Sequence, residues 1–285
     1  MASRSTGASS RSLDLRPRFG LLGWFAGSLA HHWDLLWQMT VTDLRGRYVG
    51  SSLGLFWSVI HPLVMILIYT VVFSKIMGAR LAGSQDPYGY GLYLCAGLLP
   101  WIGFQEVVLR CTTMFPDNAN LVRKVAFPKS ILYGYVTLSS GINLLLAVLV
   151  FLSAYALTGH TLHWALILWL PFIVLQLAFA LGVGALTSVL HVFVRDTSQL
   201  VGVILQVLFW ATPIVYVADG LPEWLRRLER FNPLYVFSMA HRRIVLDGTL
   251  PSPLATLALL AMTAVTLAIG ILAYRRFRAE ILDEL

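Results

Sequence analysis

Six long apolar runs, with almost no charge inside them, occupy most of the chain. Each is about as long as the ~20 residues that an α-helix needs to cross the hydrocarbon core, or longer. Water is absent there, so the backbone of such a run must satisfy its own hydrogen bonds as a helix. The pattern predicts an all-α integral membrane protein with six transmembrane helices, over Leu53–Phe73, Leu92–Met114, Ile131–Leu157, Trp164–Val194, Leu200–Val217 and Leu254–Tyr274.

The composition supports this class. The 285-residue chain is 58% hydrophobic and 12% charged, unlike an ordinary soluble domain. Its net charge of +7 could indicate a nucleic-acid partner, but the basic residues cluster at the ends of the spans. That placement is typical of a protein beside an anionic leaflet, so we predict membrane lipids and no nucleic acid as partners. The loop Lys and Arg favour cytoplasmic termini, although five arginines between spans five and six count against this.

The segment before the first span has apolar residues at helical spacing. We predict an amphipathic interface helix over residues 30–52, lying in the membrane surface, after a cytoplasmic tail over residues 1–29. An alternative is a short anchor helix that only fixes the first span. The apolar face of the predicted helix comprises Leu36, Trp37, Thr40, Val41, Leu44 and Tyr48.

The connection between spans two and three predicts a short cytoplasmic helix over about residues 117–128. Asp117 or Asn118 can cap its start, and Pro128 disfavours helix just before span three. Apolar side chains exposed on a basic loop are typical of a contact with a partner protein. The alternative is a loop that folds back on the ends of its own spans. The apolar residues that we expect to be exposed are Leu121, Val122, Val125 and Phe127.

The segment over about residues 218–252 is too long for a plain connection in a compact bundle. It contains two amphipathic pieces separated by an Asn-Pro break at 232–233. We predict a re-entrant region of two half-inserted helices near the outer leaflet, with its arginines near the headgroups. Trp224, Leu228 and Phe231 are expected to be buried there and to form an outer gate.

Signatures of catalysis are scarce in this sequence. It has no G-x-x-x-x-G-K-[ST] loop, no carboxylate pair and no metal-ligand spacing, so we predict neither a catalytic residue nor a metal site. Glu106 is the one good candidate for a functional charge inside a span. Arg110 lies four residues later on the same helical face, so a structural ion pair between the two is the simpler interpretation. An embedded glycosyl- or acyltransferase would need a catalytic acid or histidine, and only His61 and Glu106 come close.

A series of motifs resembles the membrane subunits of bacterial ABC exporters for lipid-linked polysaccharides, across about residues 30–280. Each motif is weak alone, but their order and spacing together are specific. The FPKSIL element is nearer to the O-antigen and teichoic-acid exporters than to the capsule branch. The motifs are RYVGSSLGLFWSVIHPLVMILIYTVVF at 47–73, GLLPW at 97–101, NANLVRKVAFPKSIL at 118–132, RDTSQLVGVILQ at 195–206, TPIVY at 212–216 and NPLYVF at 232–237.

The resemblance implies an export channel in the bacterial inner membrane, formed by two copies of this chain. Two separate P-loop ATPase subunits would bind ATP and Mg, and this chain would hold no cofactor. The substrate would be a polyprenyl-diphosphate-linked glycan of the O-antigen type. Alternatives are a capsule polymer, a teichoic acid, or a smaller lipid or drug. The residues that would couple the channel to the ATPases are Asn118, Asn120, Leu121, Val122, Arg123, Lys124 and Phe127.

The same resemblance places the channel along spans one and five. Aromatic rings suit a sugar polymer, because the C–H faces of sugars stack on them without fixing the chain tightly. Some of these rings could instead face lipid or the interfacial belt. Arg47 and Tyr48 lie where a diphosphate headgroup would enter, although Arg47 could equally be a snorkelling anchor. The channel-lining candidates are Phe56, Trp57, Tyr69, Phe73, Gln199, Gln206, Phe209, Trp210 and Tyr216.

Overall fold

The computed structural model describes residues 21–47, 54–76, 86–124, 127–217, 222–224, 229 and 232–284. These residues are helical or irregular, without strands, which confirms the all-α prediction. A 3₁₀ turn, Gly54–Phe56, precedes α3, and a π-helical segment, Thr70–Ile76, continues it. The α-helices are α1 Leu21–His31, α2 Trp33–Gly46, α3 Trp57–Tyr69, α4 Gly89–Asp117, α5 Ala119–Lys124, α6 Ser130–Leu157, α7 Ala165–Phe193, α8 Thr197–Ala211, α9 Pro233–Leu246 and α10 Pro253–Glu284.

Four helices, α4, α6, α7 and α10, are long and apolar enough to cross a membrane. The predicted spans one and five correspond to shorter apolar helices, Trp57–Phe73 and Thr197–Ala211. At a rise of 1.5 Å per residue, the 15 residues of α8 cover only about 22 Å. The count of six spans therefore stays a prediction, while the membrane class follows from the four long helices.

The helix α4 lies at the centre of the bundle, packed against α6, α7 and α9. Its 18-residue apolar window is 78% buried, against 22% for the window of α10. Small residues allow the neighbouring helices to approach closely, as is common between membrane helices. A Cβ built on Gly184 of α7 would lie 2.6 Å from the Cβ of Cys111 on α4.

We expect Gly182→Ala to lower the stability of the chain. The added Cβ would lie 2.6 Å from the backbone nitrogen of Leu267 on α10, and a backbone atom cannot rotate aside. Overpacking of this kind costs about 1–3 kcal/mol. The matched control is Gly202→Ala on α8, where a Cβ meets nothing within 4 Å. The measurement is the unfolding temperature of the purified chain in detergent, and equal temperatures for the two variants would contradict the packing.

The amino-terminal region differs from its prediction. Residues 1–20 and 48–53 lie outside the described residues, but residues 21–31, mostly assigned to the tail, form the helix α1. Phe25 is buried, with its ring centroid 6.4 Å from that of Tyr133. The apolar stretch is too short to span the bilayer, and α1 instead packs against α6 and α10.

The predicted interface helix corresponds to α2, which has a divided apolar surface. Leu36 and Thr40 are buried against α6. Trp33 and Trp37 point outward, with stacked rings 6.3 Å apart. The predicted apolar face is thus divided: Leu36 contacts the bundle, whereas Trp37 points away from it, and the position of α2 in the membrane surface stays a prediction.

The region between α8 and α10 is only partly as predicted. Its second amphipathic piece is the helix α9, and Asn232 caps it by accepting a hydrogen bond of 3.0 Å from the backbone N–H of Leu234. However, α9 packs inside the bundle against α4 and α7. The prediction that the arginines of this region lie near headgroups is wrong for Arg242, which is only 3% exposed. Arg243 beside it is exposed.

Candidate functional site

Four charged side chains form a compact ion cluster where α2 meets α4. Arg110 Nη2 lies 2.6 Å from Asp43 Oδ1, and Arg47 Nη2 lies 2.6 Å from Glu106 Oε1. Arg47 Nε also contacts Asp43 Oδ2 at 3.2 Å. Two cations and two anions leave the cluster without net charge. Each side chain is 20–26% exposed, so the cluster is partly screened from water.

The ion cluster also includes α6. Arg110 Nη1 donates to the hydroxyls of Ser139 at 2.8 Å and Ser140 at 3.1 Å, and Ser140 donates to Glu106 Oε1 at 2.9 Å. The predicted pair between Glu106 and Arg110 is present, but at 3.7 Å it is the longest of these contacts. The shorter ion pairs, with Asp43 and Arg47, join α4 to the end of α2. Sequence spacing could not reveal them, because Asp43 lies 67 residues from Arg110.

Arg47, the candidate for headgroup entry, is already paired in this arrangement. Burial disfavours its charged form, but the carboxylates of Glu106 and Asp43 outweigh burial and raise the pKa of Arg47 above its ordinary value. A phosphate would therefore have to compete with two carboxylates for this guanidinium. Tyr48, its predicted neighbour at the entry, lies outside the described residues.

The predicted coupling helix is shorter than expected, covering only the six residues of α5. The prediction that Val122 is exposed is wrong, since it is 3% exposed where α5 folds back against α4. Lys129 Nζ donates to the carbonyl of Val122 at 2.9 Å and lies 4.3 Å from the ring centroid of Phe127. Leu121, Asn118 and Phe127 are half-buried, and Val125 lies outside the described residues. The exposed side chains are those of Asn120, Arg123 and Lys124.

The channel-lining candidates fall into two groups. On α8 only the stripe of Thr197, Val201 and Leu205 is buried. The opposite face is open and carries Gln199, Gln206 and Trp210, the last of them 61% exposed. At the start of the α3 region, Phe56 and Trp57 are likewise 71% and 44% exposed. The half-buried candidates are Tyr69, Phe73, Phe209 and Tyr216.

The half-buried candidates contact other side chains of the same chain. Tyr69 stacks on Phe73 with centroids 6.1 Å apart, and Phe73 stacks on Tyr90 of α4 at 5.9 Å. Phe209 lies 5.7 Å from Trp101. These rings are therefore part of the packing between helices, whereas the open faces of α3 and α8 remain available to a second molecule.

Arg242 forms a second polar centre, which the sequence did not indicate. Its guanidinium lies 3.7 Å from the ring centroid of Tyr93 and donates to three backbone carbonyls. The acceptors are Pro213 at 2.6 Å, Ile214 at 2.7 Å and Tyr93 at 3.3 Å. Pro213 and Ile214 belong to the TPIVY turn that ends α8. Arg242 thereby fixes this turn to α4.

Several of the motifs meet around Arg242. Gly97 of GLLPW provides the room, because a Cβ there would lie 3.1 Å from Arg242 Nη2. Asn232 of NPLYVF donates to Thr212 Oγ1 of TPIVY at 2.9 Å. Tyr90 donates to the carbonyl of Val215 in the same turn at 2.7 Å. These motifs are far apart in the sequence but contact one another around Arg242.

The profile of the ABC-2 type transporter family matches residues 34–246. The chain belongs to this family. The matched region includes the ion cluster, the open face of α8 and the centre at Arg242. The resemblance predicted from the motifs is therefore confirmed, and the chain is a membrane-embedded subunit of a transporter.

Curated relatives of this ABC-2 permease are named as export or transport proteins. It is 32% identical over 228 residues to the O-antigen export system permease protein RfbA of Klebsiella pneumoniae, covering 78% of this chain and 84% of that protein. It is 27% identical over 235 residues to RfbA of Myxococcus xanthus, covering 82% and 88%. The polysialic acid transport protein KpsM of Escherichia coli is 23% identical over 243 residues, covering 82% and 89%.

Proposed function

We propose that this permease forms the channel of an ATP-driven exporter that moves a polyprenyl-diphosphate-linked polysaccharide of the O-antigen type across the bacterial inner membrane. The observation that carries the proposal is the 32% identity to an O-antigen export permease over most of both chains. The lower identity of 23% to KpsM gives less support to a capsule polymer as the substrate. Both termini lie in the cytoplasm in this proposal, as the positive residues of most loops indicate.

The open faces of α3 and α8 support a channel between two copies. The exposed glutamine side chains of α8 are costly against lipid, but they suit a hydrated polymer. Gln199 and Gln206 offer amides for sugar hydroxyls, and Trp210 offers a ring face. An embedded transferase has less support, because Glu106 is held by Arg47 and Ser140.

Transport by a reconstituted complex tests this function. The full chain would be purified with the P-loop ATPase of the same bacterium and inserted into vesicles, with the ATPase facing outward. Added ATP is expected to move a polyprenyl-diphosphate-linked glycan into the lumen, where an external glycosidase cannot reach it. Transport of only a short lipid, with the glycan excluded, would favour the small-substrate alternative. A chain that purifies without any ATPase would contradict the proposal.

The exposed face of α5 provides a test of the coupling. We propose that Arg123 and Lys124 meet an acidic surface of the ATPase. We therefore expect the double charge reversal Arg123→Glu/Lys124→Glu to abolish co-purification of the ATPase and ATP-dependent export, because the like charges then facing each other cost several kcal/mol. Both side chains are exposed, so the fold should be preserved. The control is Arg276→Glu/Arg278→Glu, an equal charge change on exposed residues of α10. Similar ATPase recovery from the two variants would exclude α5 as the contact.

A further inference from the structure

A cavity of about 300 Å³ lies between α3, α4 and α6, next to the ion cluster, with which it shares Glu106. It reaches the surface of the chain at His61, which is exposed, and at Trp57, which is 44% exposed. Its volume is at the lower end of the range for small-molecule pockets, about 300–1,000 Å³. It is lined by Trp57, Ser58, His61, Pro62, Met65, Leu99, Ile102, Gly103, Glu106, Asn143, Leu144 and Ala147.

The lining of the cavity is polar at one end and apolar at the other. The helices α3 and α4 run in opposite directions, because Arg47 before α3 binds Glu106, while Thr70 after α3 meets Gly91. Glu106 therefore lies near the start of α3, at the end beside the ion cluster. The polar residues at this end are Ser58, His61, Glu106 and Asn143, and the residues at the far end are Met65, Leu99 and Ala147.

Asn143 carries an amide without a hydrogen-bond partner among the described residues. It lies three residues after Ser140, whose hydroxyl contacts Arg110 and Glu106, and so about one helical turn from the ion cluster. An amide inside a membrane helix costs free energy unless it finds an acceptor or a donor. Polar groups inside membrane helices are therefore candidates for a binding site.

The charges at this end favour a neutral ligand over an anion. The carboxylate of Glu106 would repel a phosphate, and the guanidinium of Arg47 is already paired with it at 2.6 Å. The amide of Asn143 and the ring of His61 can instead donate to an uncharged acceptor such as a carbonyl oxygen. The apolar far end suits a hydrocarbon chain. A ligand that matches both ends of the cavity therefore has an ester carbonyl followed by an acyl chain.

We propose that this cavity is a lipid site that takes one acyl chain of a glycerophospholipid and recognises its ester carbonyl through Asn143. The ester linkage of such a lipid lies at the boundary between headgroup and hydrocarbon, and the chain extends from it toward the bilayer centre. The polar end of the cavity, next to the ion cluster, and its apolar far end follow the same order. The cavity shares Trp57 with the face of α3 that the proposed channel uses, but labelling by a lipid needs neither ATP nor export, so the two proposals can fail separately.

Photocrosslinking tests the site directly. The full chain would be reconstituted in phosphatidylethanolamine vesicles containing a phosphatidylethanolamine probe with a diazirine on its acyl chain. We expect label in peptides of α3, α4 and α6 around the cavity. Ala147→Phe fills the cavity and should lower this label several-fold, whereas Ala156→Phe, an exposed position on the same helix, should not. Label spread evenly over the exposed helices, unchanged by Ala147→Phe, would overturn the proposal.

An ether-linked probe separates recognition of the carbonyl from simple filling. The unmodified chain is expected to prefer the ester-linked probe about two- to tenfold, the factor that one hydrogen bond provides. Asn143→Leu should remove this preference and leave labelling by the ether-linked probe unchanged. If that variant does not fold, the comparison of the two probes on the unmodified chain still decides. Equal labelling there would overturn the role of the amide, and displacement of the label by polyprenyl phosphate would assign the cavity to the carrier lipid instead.

Discussion

Arg242→Met is expected to abolish export and to lower the unfolding temperature of the chain sharply. The buried carbonyls of Pro213 and Ile214 would lose their donor, and the carbonyl of Tyr93 would keep only the hydrogen bond of its own helix. Each buried acceptor left without a partner costs about 1–3 kcal/mol. Loss of the contact between the guanidinium and the ring of Tyr93 adds on the order of 2 kcal/mol for a desolvated pair. Such a sum is comparable to the whole stability of many domains.

The matched control for this variant is Arg243→Met. Arg243 is the next residue of α9 and its side chain is exposed, so the same chemical change removes no buried contact. Arg242→Lys should give an intermediate result, because a single ammonium keeps the charge but cannot reach three carbonyls with the geometry of a guanidinium. Fluorescence-detected gel filtration after heating measures stability, and surface glycan measures export. Equal behaviour of Arg242→Met and Arg243→Met would contradict the role assigned to Arg242.

The fold was predictable where the bilayer dictates it. A helix that must cross the hydrocarbon needs a long apolar run, so α4, α6, α7 and α10 follow from length and composition. The apolar stretch of α1 gave no such signal, because it is too short to span and its packing depends on a surface formed by other helices.

The candidate site was less predictable, because its contacts join distant parts of the chain. Arg242 and Arg243 are neighbours on one amphipathic helix, and periodicity alone does not say which is buried. The acceptors of Arg242 are backbone carbonyls, which carry no sequence signal. For Glu106, the spacing to Arg110 indicated the local pair, whereas the shorter bond to Arg47 depends on how α2 approaches α4.

Variants that change the net charge of the ion cluster are expected to have the second large effect on stability and export. Glu106→Gln leaves two cations facing one anion, and Arg47→Gln leaves two anions facing one cation. Each single variant should lower both the unfolding temperature and export. The double variant Arg47→Gln/Glu106→Gln restores neutrality and can keep an amide–amide hydrogen bond, so it should recover much of the loss. Coupling energies for contacting residues are about 0.5–3 kcal/mol, and partial exposure places this pair toward the lower end.

Arg45→Gln is the control for these variants, because Arg45 is exposed on the same helix α2. Additive losses in the double variant would contradict a cooperative cluster and would leave Arg47 as a snorkelling anchor. Recovery of stability without recovery of export has a different meaning. The neutral pair would then hold α2 against α4 and α6 well enough to fold, but the charges themselves would be needed during transport. That outcome would make Arg47 the candidate for phosphate binding, available only when its bond to Glu106 opens.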